Sequence, residues 1–252
     1  MLRSGVVRAA LLTTGGVLAL LGWVIVGRHA GARLPGGDRG TFAFADVDCL
    51  APGTLSRADF LGEVQYLSSL PDRLPLSDKT VATRLAAAFA THPSVKSVQR
   101  VEVLPDQVRV SLLFRTPVLI VPGPDALRVV DGKGVLLPKT MLAEGLPRLS
   151  GQPVSAPAGA EGSPWGDDRV AAVAAVAAEL WQHRDRVVVE KITYDGSEVI
   201  LLAGKTRIRW GNPPGREVRG EARAATKVLR LCALAAEPGG LEDREIDLGG
   251  PQ

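Results

Sequence analysis

Two β-prone runs on either side of a proline turn constrain the fold of this chain more than any other feature. Residues 95–103 and 108–114 alternate apolar with polar side chains and flank Leu104-Pro105-Asp106-Gln107, a sequence typical of a turn. In the second run Val110 and Phe114 share one face, so we expect both to pack against a core. The pattern predicts a β-hairpin.

The residues ahead of this hairpin predict a strand and two helices. Residues 41–47 are typical of a strand, and Ser56 with Asp59 forms a capping box that opens a short helix. A second helix is predicted from Ser77, which is a suitable N-cap residue. Its expected buried stripe consists of Val81, Leu85, Ala88 and Phe89. The order β-α-α-β-β predicts a small α+β module over residues 41–117.

The remaining residues, 118–252, predict a second α+β domain with an antiparallel sheet. A hairpin is expected around Asp131-Gly132-Lys133-Gly134. Three further strands, over residues 187–194, 198–203 and 206–210, are expected to form a meander. Residues 152–166 are typical of a mobile surface loop. Two helices complete the domain, with these expected stripes: Val170, Val173, Ala177, Leu180 and Trp181 in one, and Val218, Ala222, Ala225, Leu229 and Cys232 in the other.

The N-terminal region contains 19 residues without a charge, from 9 to 27. A helix of that length roughly matches a ~30 Å hydrocarbon core, which predicts a single transmembrane helix followed by a linker over residues 28–40. The alternative is a secretory signal cleaved after Ala30-Gly31-Ala32. Arginines flank both ends, so charge leaves the orientation open. Only residues 1–8 precede the span. By analogy we therefore expect an inner-membrane protein with a short cytoplasmic N-terminal tail and with the rest of the chain outside the cytoplasm.

The charge distribution argues against a nucleic-acid partner. The whole chain has a net charge of +3, but five arginines against one aspartate in the first 40 residues account for +4. The rest of the chain therefore sums to −1 and has no basic stripe, whereas binding to a phosphate backbone needs a basic surface.

No motif in the sequence predicts an enzyme. Gly204-Lys205-Thr206 resembles part of a phosphate-binding loop, but Val199 stands where that loop needs a glycine, so a hairpin turn is the better interpretation. The three histidines do not cluster, and no cofactor, metal or small-molecule substrate is expected. Cys49 and Cys232 allow either one disulfide or two buried free thiols.

Several of these motifs together resemble the FtsQ/DivIB family of bacterial division proteins. They are HPSVKSVQRVEVLPDQVRVSLLFRTPV (92–118), VVDGKGVLLP (129–138), LPRLSG (146–151), GKTRIRWG (204–211) and EIDL (245–248). The resemblance implies a membrane anchor, a POTRA domain and an FtsQ-type β domain. It also implies a non-enzymatic scaffold of the divisome that binds FtsB-like and FtsL-like bitopic proteins and helps recruit the septal peptidoglycan synthase.

The resemblance also suggests where a partner binds. It implies strand addition at the last strand, Glu245, Ile246, Asp247 and Leu248, because a chain-terminal strand often lies at a sheet edge. The alternative is an internal strand that completes the core, with Ile246 and Leu248 inward. Two other functions stay open at this point: a POTRA-type module for protein export or envelope assembly, and an anchored enzyme.

Overall fold

The computed structural model describes residues 40–105, 107–141 and 144–250. They form four α-helices: α1 Arg57–Ser68, α2 Val81–Ala90, α3 Asp168–Trp181 and α4 Ala224–Ala235. The strands are β1 Thr41–Ala43, β2 Asp48–Cys49, β3 Arg73–Pro75, β4 Val95–Val103, β5 Val108–Phe114, β6 Pro117–Pro122, β7 Leu127–Asp131, β8 Arg148–Ser150, β9 Lys191–Tyr194, β10 Val199–Ala203, β11 Thr206–Gly211 and β12 Glu245–Asp247.

The N-terminal lobe, residues 41–114, packs α1 and α2 against a three-stranded sheet of order β2-β5-β4. The predicted hairpin is confirmed, since β4 and β5 pair antiparallel with Val101 opposite Val110. Val110 is buried in this lobe's core and Phe114 packs against it. The strand predicted over residues 41–47 is instead two short strands around a 3-10 turn: β1 pairs with β3, and β2 pairs with β5.

Local capping explains where the two helices of this lobe begin. As predicted, the side chain of Ser56 accepts a hydrogen bond from the Asp59 N–H at the start of α1. The prediction for Ser77 is wrong, because α2 begins only at Val81. The Asp78 carboxylate accepts the Thr80 N–H at 2.8 Å, which turns the chain before the helix. The predicted stripe on α2 is confirmed in full as buried.

The C-terminal lobe, residues 117–248, is built on a seven-stranded sheet of order β12-β11-β10-β9-β8-β6-β7. The sheet is mixed rather than antiparallel, because β6 with β8, β8 with β9 and β11 with β12 are parallel pairs. The helix α3 packs on this sheet through the predicted stripe, of which only Trp181 is partly exposed. The turn at Gly204-Lys205 joins β10 and β11, as expected for a hairpin.

The segment over residues 152–166 differs from the mobile surface loop predicted for it. The Trp165 side chain is completely buried, and its Nε1–H donates to the Ser155 carbonyl at 2.9 Å. Backbone hydrogen bonds join Gly162 and Ser163 to Leu136. Glycines, prolines and small residues suggested mobility, but one large aromatic side chain anchors the segment.

The helix α4 also differs from its prediction, in both its start and its buried face. It begins at Ala224, and the expected core residues Val218 and Leu229 are 60% and 66% exposed. Its buried face consists of Ala224, Lys227, Val228, Leu231 and Cys232. Lys227 is fully buried, although the periodic pattern of apolar residues predicts that a lysine here lies on the exposed face of the helix.

The predicted fold class included a transmembrane helix, and this requires correction. Among residues 40–105, 107–141 and 144–250 no helix is long and apolar enough to cross a membrane, and the longest, α3, has 14 residues. Such a helix is about 21 Å long, against a ~30 Å hydrocarbon core. The predicted span, residues 9–27, lies outside the described residues. The fold class is corrected to α+β, and the predicted single-pass location in the inner membrane is withdrawn.

Contacts between the lobes involve the residues that connect them. Arg115 donates from Nη1 to Asp131 at 2.7 Å, and its backbone N–H donates to the Ser94 carbonyl. The Ser94 hydroxyl also lies 3.4 Å from the sulfur of Met141.

Each lobe has its own cysteine, and both Cys49 and Cys232 are buried free thiols. Burial raises the pKa of the Cys49 thiol to about 11.

Candidate protein-binding edge

The last strand, β12, lies at one end of the seven-stranded sheet and pairs only with β11 among the described strands. The pairing is parallel, with Arg207 opposite Glu245, Ile208 opposite Ile246 and Arg209 opposite Asp247. Three of the four residues predicted as the partner site, Glu245, Ile246 and Asp247, thus form the strand. Leu248 follows directly and donates its N–H to the Arg209 carbonyl at 2.8 Å.

The register determines which backbone groups of β12 face away from the sheet. The Arg244 carbonyl accepts from the Arg207 N–H, and the Leu248 N–H is bound to Arg209. In a parallel strand alternate residues bond to opposite sides, so the N–H and C=O of Glu245 and Asp247 point outward. An exposed row of this kind is a template for pairing with another extended chain.

The side chains of β12 fit both interpretations of the sequence at once. Ile246 is 8% exposed and closes a row of buried residues that runs across five strands: Leu149, Ile192, Leu201, Ile208 and Ile246. Leu248 is also buried, whereas Glu245 and Asp247 are exposed. The strand completes the core through its side chains and leaves its outer backbone edge open.

The opposite face of the same strands carries charges of both signs. The matching cross-strand row is Arg148, Lys191, Leu202, Arg207 and Glu245. In the next row Arg209 bridges Glu198 and Asp247, each at 3.0 Å. The hydrogen bond to Glu198 and the charges of Asp247 and Glu198 raise the pKa of the Arg209 guanidinium. Arg207 and Arg209 therefore lie next to the open edge, and each has an acidic residue of β12 opposite it.

A buried ion pair lies near the end of β12 and was not anticipated from the sequence. Lys227 Nζ and Glu221 Oε1 are 2.5 Å apart, with side chains 0% and 1% exposed. The Glu221 carboxylate also accepts hydrogen bonds from the backbone and side chain of Asn212 and from the Val218 N–H. Burial alone raises the pKa of Glu221, but the hydrogen bond from Lys227, together with those from Val218 and Asn212, outweighs it and lowers the pKa to about 2.

Other surfaces of the molecule are weaker candidates for a site. Within the described residues no three potential metal ligands cluster. The strand β4 is a second open edge, but two register shifts interrupt its ladder, and bulges of this kind discourage pairing. At the far end of the large sheet, β7 is partly covered by a bridge from Val130 to Leu136.

Comparisons with known proteins do not identify a family for this chain: no family model matches it, and no curated protein matches it. The resemblance to FtsQ/DivIB proteins therefore stays a prediction from the sequence motifs.

Proposed function

We propose that this protein is a non-enzymatic scaffold that binds other proteins by strand addition at β12. The observation that carries the proposal is the open outer edge of β12, where the N–H and C=O of Glu245 and Asp247 point away from β11. Backbone pairing supplies affinity without special side chains. A scaffold of this type needs no catalytic cluster.

The partners we propose are FtsB-like and FtsL-like division proteins, with the septal peptidoglycan synthase recruited through them. The sequence motifs that resemble the FtsQ/DivIB family support this choice. Arg207, next to the edge, makes no ion pair within the part of the chain that the structure describes and lies opposite the exposed Glu245, so the edge offers a partner both signs of charge. Complementary charge favours fast and specific association.

Site-specific photocrosslinking in the full-length protein tests the proposal. A photoreactive amino acid replaces Glu245 or Asp247, and a matched control replaces Leu50, which is 80% exposed on the N-terminal lobe. We expect both β12 positions, but not the control, to crosslink to the FtsB-like protein of the same cell. Crosslinking at Leu50 with none at β12 would place binding on the N-terminal lobe and overturn the proposed site.

A further inference from the structure

The glycine that ends β11 lies close to both the buried ion pair and the chain that leaves β12. Gly211 has a φ of +86°, and a Cβ at this position would collide with Glu221 Oε1. The same Cβ would lie 2.8 Å from the Cα of Gly249. The Glu221 carboxylate and the Gly249 backbone thus leave no space for a side chain on Gly211, and we call these three groups the stack.

The contact is equally close when seen from the β12 side. A Cβ on Gly249 would lie 2.8 Å from Gly211 Cα and 3.4 Å from the Trp210 carbonyl oxygen. Two glycine backbones therefore pack directly against each other at this point. Immediately before it, the Leu248 N–H is held by Arg209 and the Asp247 carboxylate accepts the Gly249 N–H. A shift of either backbone would move the C-terminal end of β12.

Lys227 connects this stack to α4. Its ammonium lies 5.2 Å from the centre of the Trp210 ring and is bound to Glu221. Among the described strands β12 pairs only with β11, through Arg207, Ile208 and Arg209, and Trp210 and Gly211 follow directly, so their position affects the C-terminal end of β12. A buried ion pair adds little stability compared with apolar residues of the same size, but it is restrictive about geometry.

We infer that Glu221, Lys227 and Gly211 are positioning residues that hold the C-terminal end of β12 in place for strand addition. This inference rests on the proposed function, because it assigns to the ion pair the alignment of the partner-binding edge. Of the outward backbone groups of β12, the N–H and C=O of Asp247 lie closest to the stack. Pairing of a partner strand with Asp247 should therefore depend most on the stack.

Two adjacent glycines supply a matched test by amide hydrogen exchange in the full-length protein. Gly249→Ala introduces a Cβ into the tight contact, whereas on Gly250→Ala the nearest atom lies 3.8 Å away, an ordinary contact. We expect exchange of the Leu248 N–H to become at least about tenfold faster in Gly249→Ala and to be unchanged in Gly250→Ala. Equal exchange in the two variants would overturn the inference.

A second variant tests the ion pair itself without leaving a buried charge. The double substitution Glu221→Gln with Lys227→Met removes both charges, so neither is left unpaired, although the glutamine amide cannot accept from every donor that the Glu221 carboxylate binds. We expect a lower melting temperature, with Leu248 exchange accelerated more than exchange in β10. Val110→Ala is the control for general destabilisation, because it lies in the other lobe and should not change Leu248 exchange relative to exchange in β10. Unchanged Leu248 exchange in the double variant would refute the positioning role of the ion pair.

Binding measurements separate this inference from the proposed function. With purified FtsB-like protein, we expect Gly249→Ala and the double variant to bind at least about tenfold more weakly than wild type, and Gly250→Ala to bind normally. If wild-type protein does not bind, the proposed function is wrong, while the exchange data still decide whether the stack holds β12. If wild type and all variants bind equally, the inference is wrong and the proposed function stands.

Discussion

Phe114 ties the β4–β5 hairpin to the helices of the N-terminal lobe through one aromatic contact. Its ring meets that of Phe60 on α1 edge to face, with centroids 5.6 Å apart. Its neighbour Leu113 points to the other side of the sheet and is 44% exposed. Adjacent residues in a strand thus contribute very differently to stability, because only one of them reaches the core.

Replacing each of these two residues by alanine should measure that difference. Phe114 is partly buried, so Phe114→Ala should lower the free energy of unfolding by about 2 kcal/mol, less than for a fully buried phenylalanine. Leu113→Ala should cost less than about 1 kcal/mol. Urea denaturation of both variants checks this, and a larger loss for Leu113→Ala would show that the strand is shifted by one residue.

Glu221 should make the stability of the protein dependent on pH in the acid range. Its pKa is about 2 in the folded chain against an ordinary value of 4.5. A carboxyl with a lowered pKa stabilises the fold above its unfolded pKa, and this contribution is lost as the pH falls from about 4.5 towards 2. The shift corresponds to roughly 3 kcal/mol at neutral pH.

Glu221→Gln should therefore be less stable than wild type by roughly 3 kcal/mol at pH 7, and the difference should shrink as the pH approaches 2. Chemical denaturation at a series of pH values measures it. Glu242→Gln, at an exposed position, is the control and should stay within about 0.5 kcal/mol of wild type throughout. A difference for Glu221→Gln that does not vary with pH would contradict the lowered pKa.

The strand β12 combines a buried side-chain face with an open backbone edge, and proline substitutions can distinguish the contributions of the two. Glu245 directs its N–H outward, so Glu245→Pro removes a donor that β11 does not use. We expect a change in stability below about 1 kcal/mol and loss of binding to the proposed FtsB-like partner. Thermal melts and a pulldown measure the two effects.

Ile246→Pro is the matched variant, because the N–H of Ile246 faces β11. It should destabilise the protein by about 3 kcal/mol or more. If Glu245→Pro destabilised the fold as much as Ile246→Pro, the outward direction of the Glu245 N–H would be wrong. If Glu245→Pro were stable and still bound its partner fully, strand addition at β12 would be excluded.

The elements that could be predicted from sequence are those determined by nearby residues. The Ser56 cap, the β4–β5 hairpin and the α2 stripe depend on residues only a few positions apart, and all three are confirmed. The buried face of α4 was not predicted correctly, because a pattern of apolar residues leaves out Lys227. The burial of Lys227 depends on Glu221, which lies outside the helix. The anchoring of residues 152–166 by Trp165 likewise depends on contacts beyond the segment.

The candidate site was predictable in part for the same reason. That EIDL is a strand with Ile246 inward follows from its alternating pattern. Its parallel pairing with β11 does not, because more than 30 residues, including α4, separate the two strands. Nothing in the sequence around Gly211 indicates the close approach of Gly249, which exists only once that pairing has formed.

The two lobes have separate cores and meet through a short and largely buried junction. Arg115 and Asp131 form an ion pair with side chains 17% and 6% exposed. Asp131 also accepts the N–H groups of Lys133 and Val135, so the pair fixes the turn after β7. Close by, a Cβ on Gly162 would lie 3.1 Å from the Cα of Pro93, which shows how closely the lobes approach.

Because these contacts are buried, we expect the lobes to unfold in a single transition. The tryptophans in the described residues all lie in the C-terminal lobe, so their fluorescence reports on that lobe, whereas hydrogen exchange at β5 reports on the other. Arg115→Ala leaves the Asp131 charge unpaired and should cost roughly 3 kcal/mol. Both probes should shift together to lower denaturant concentration. If the tryptophan signal shifted while exchange at β5 did not, the lobes would be independent and the junction would not couple them.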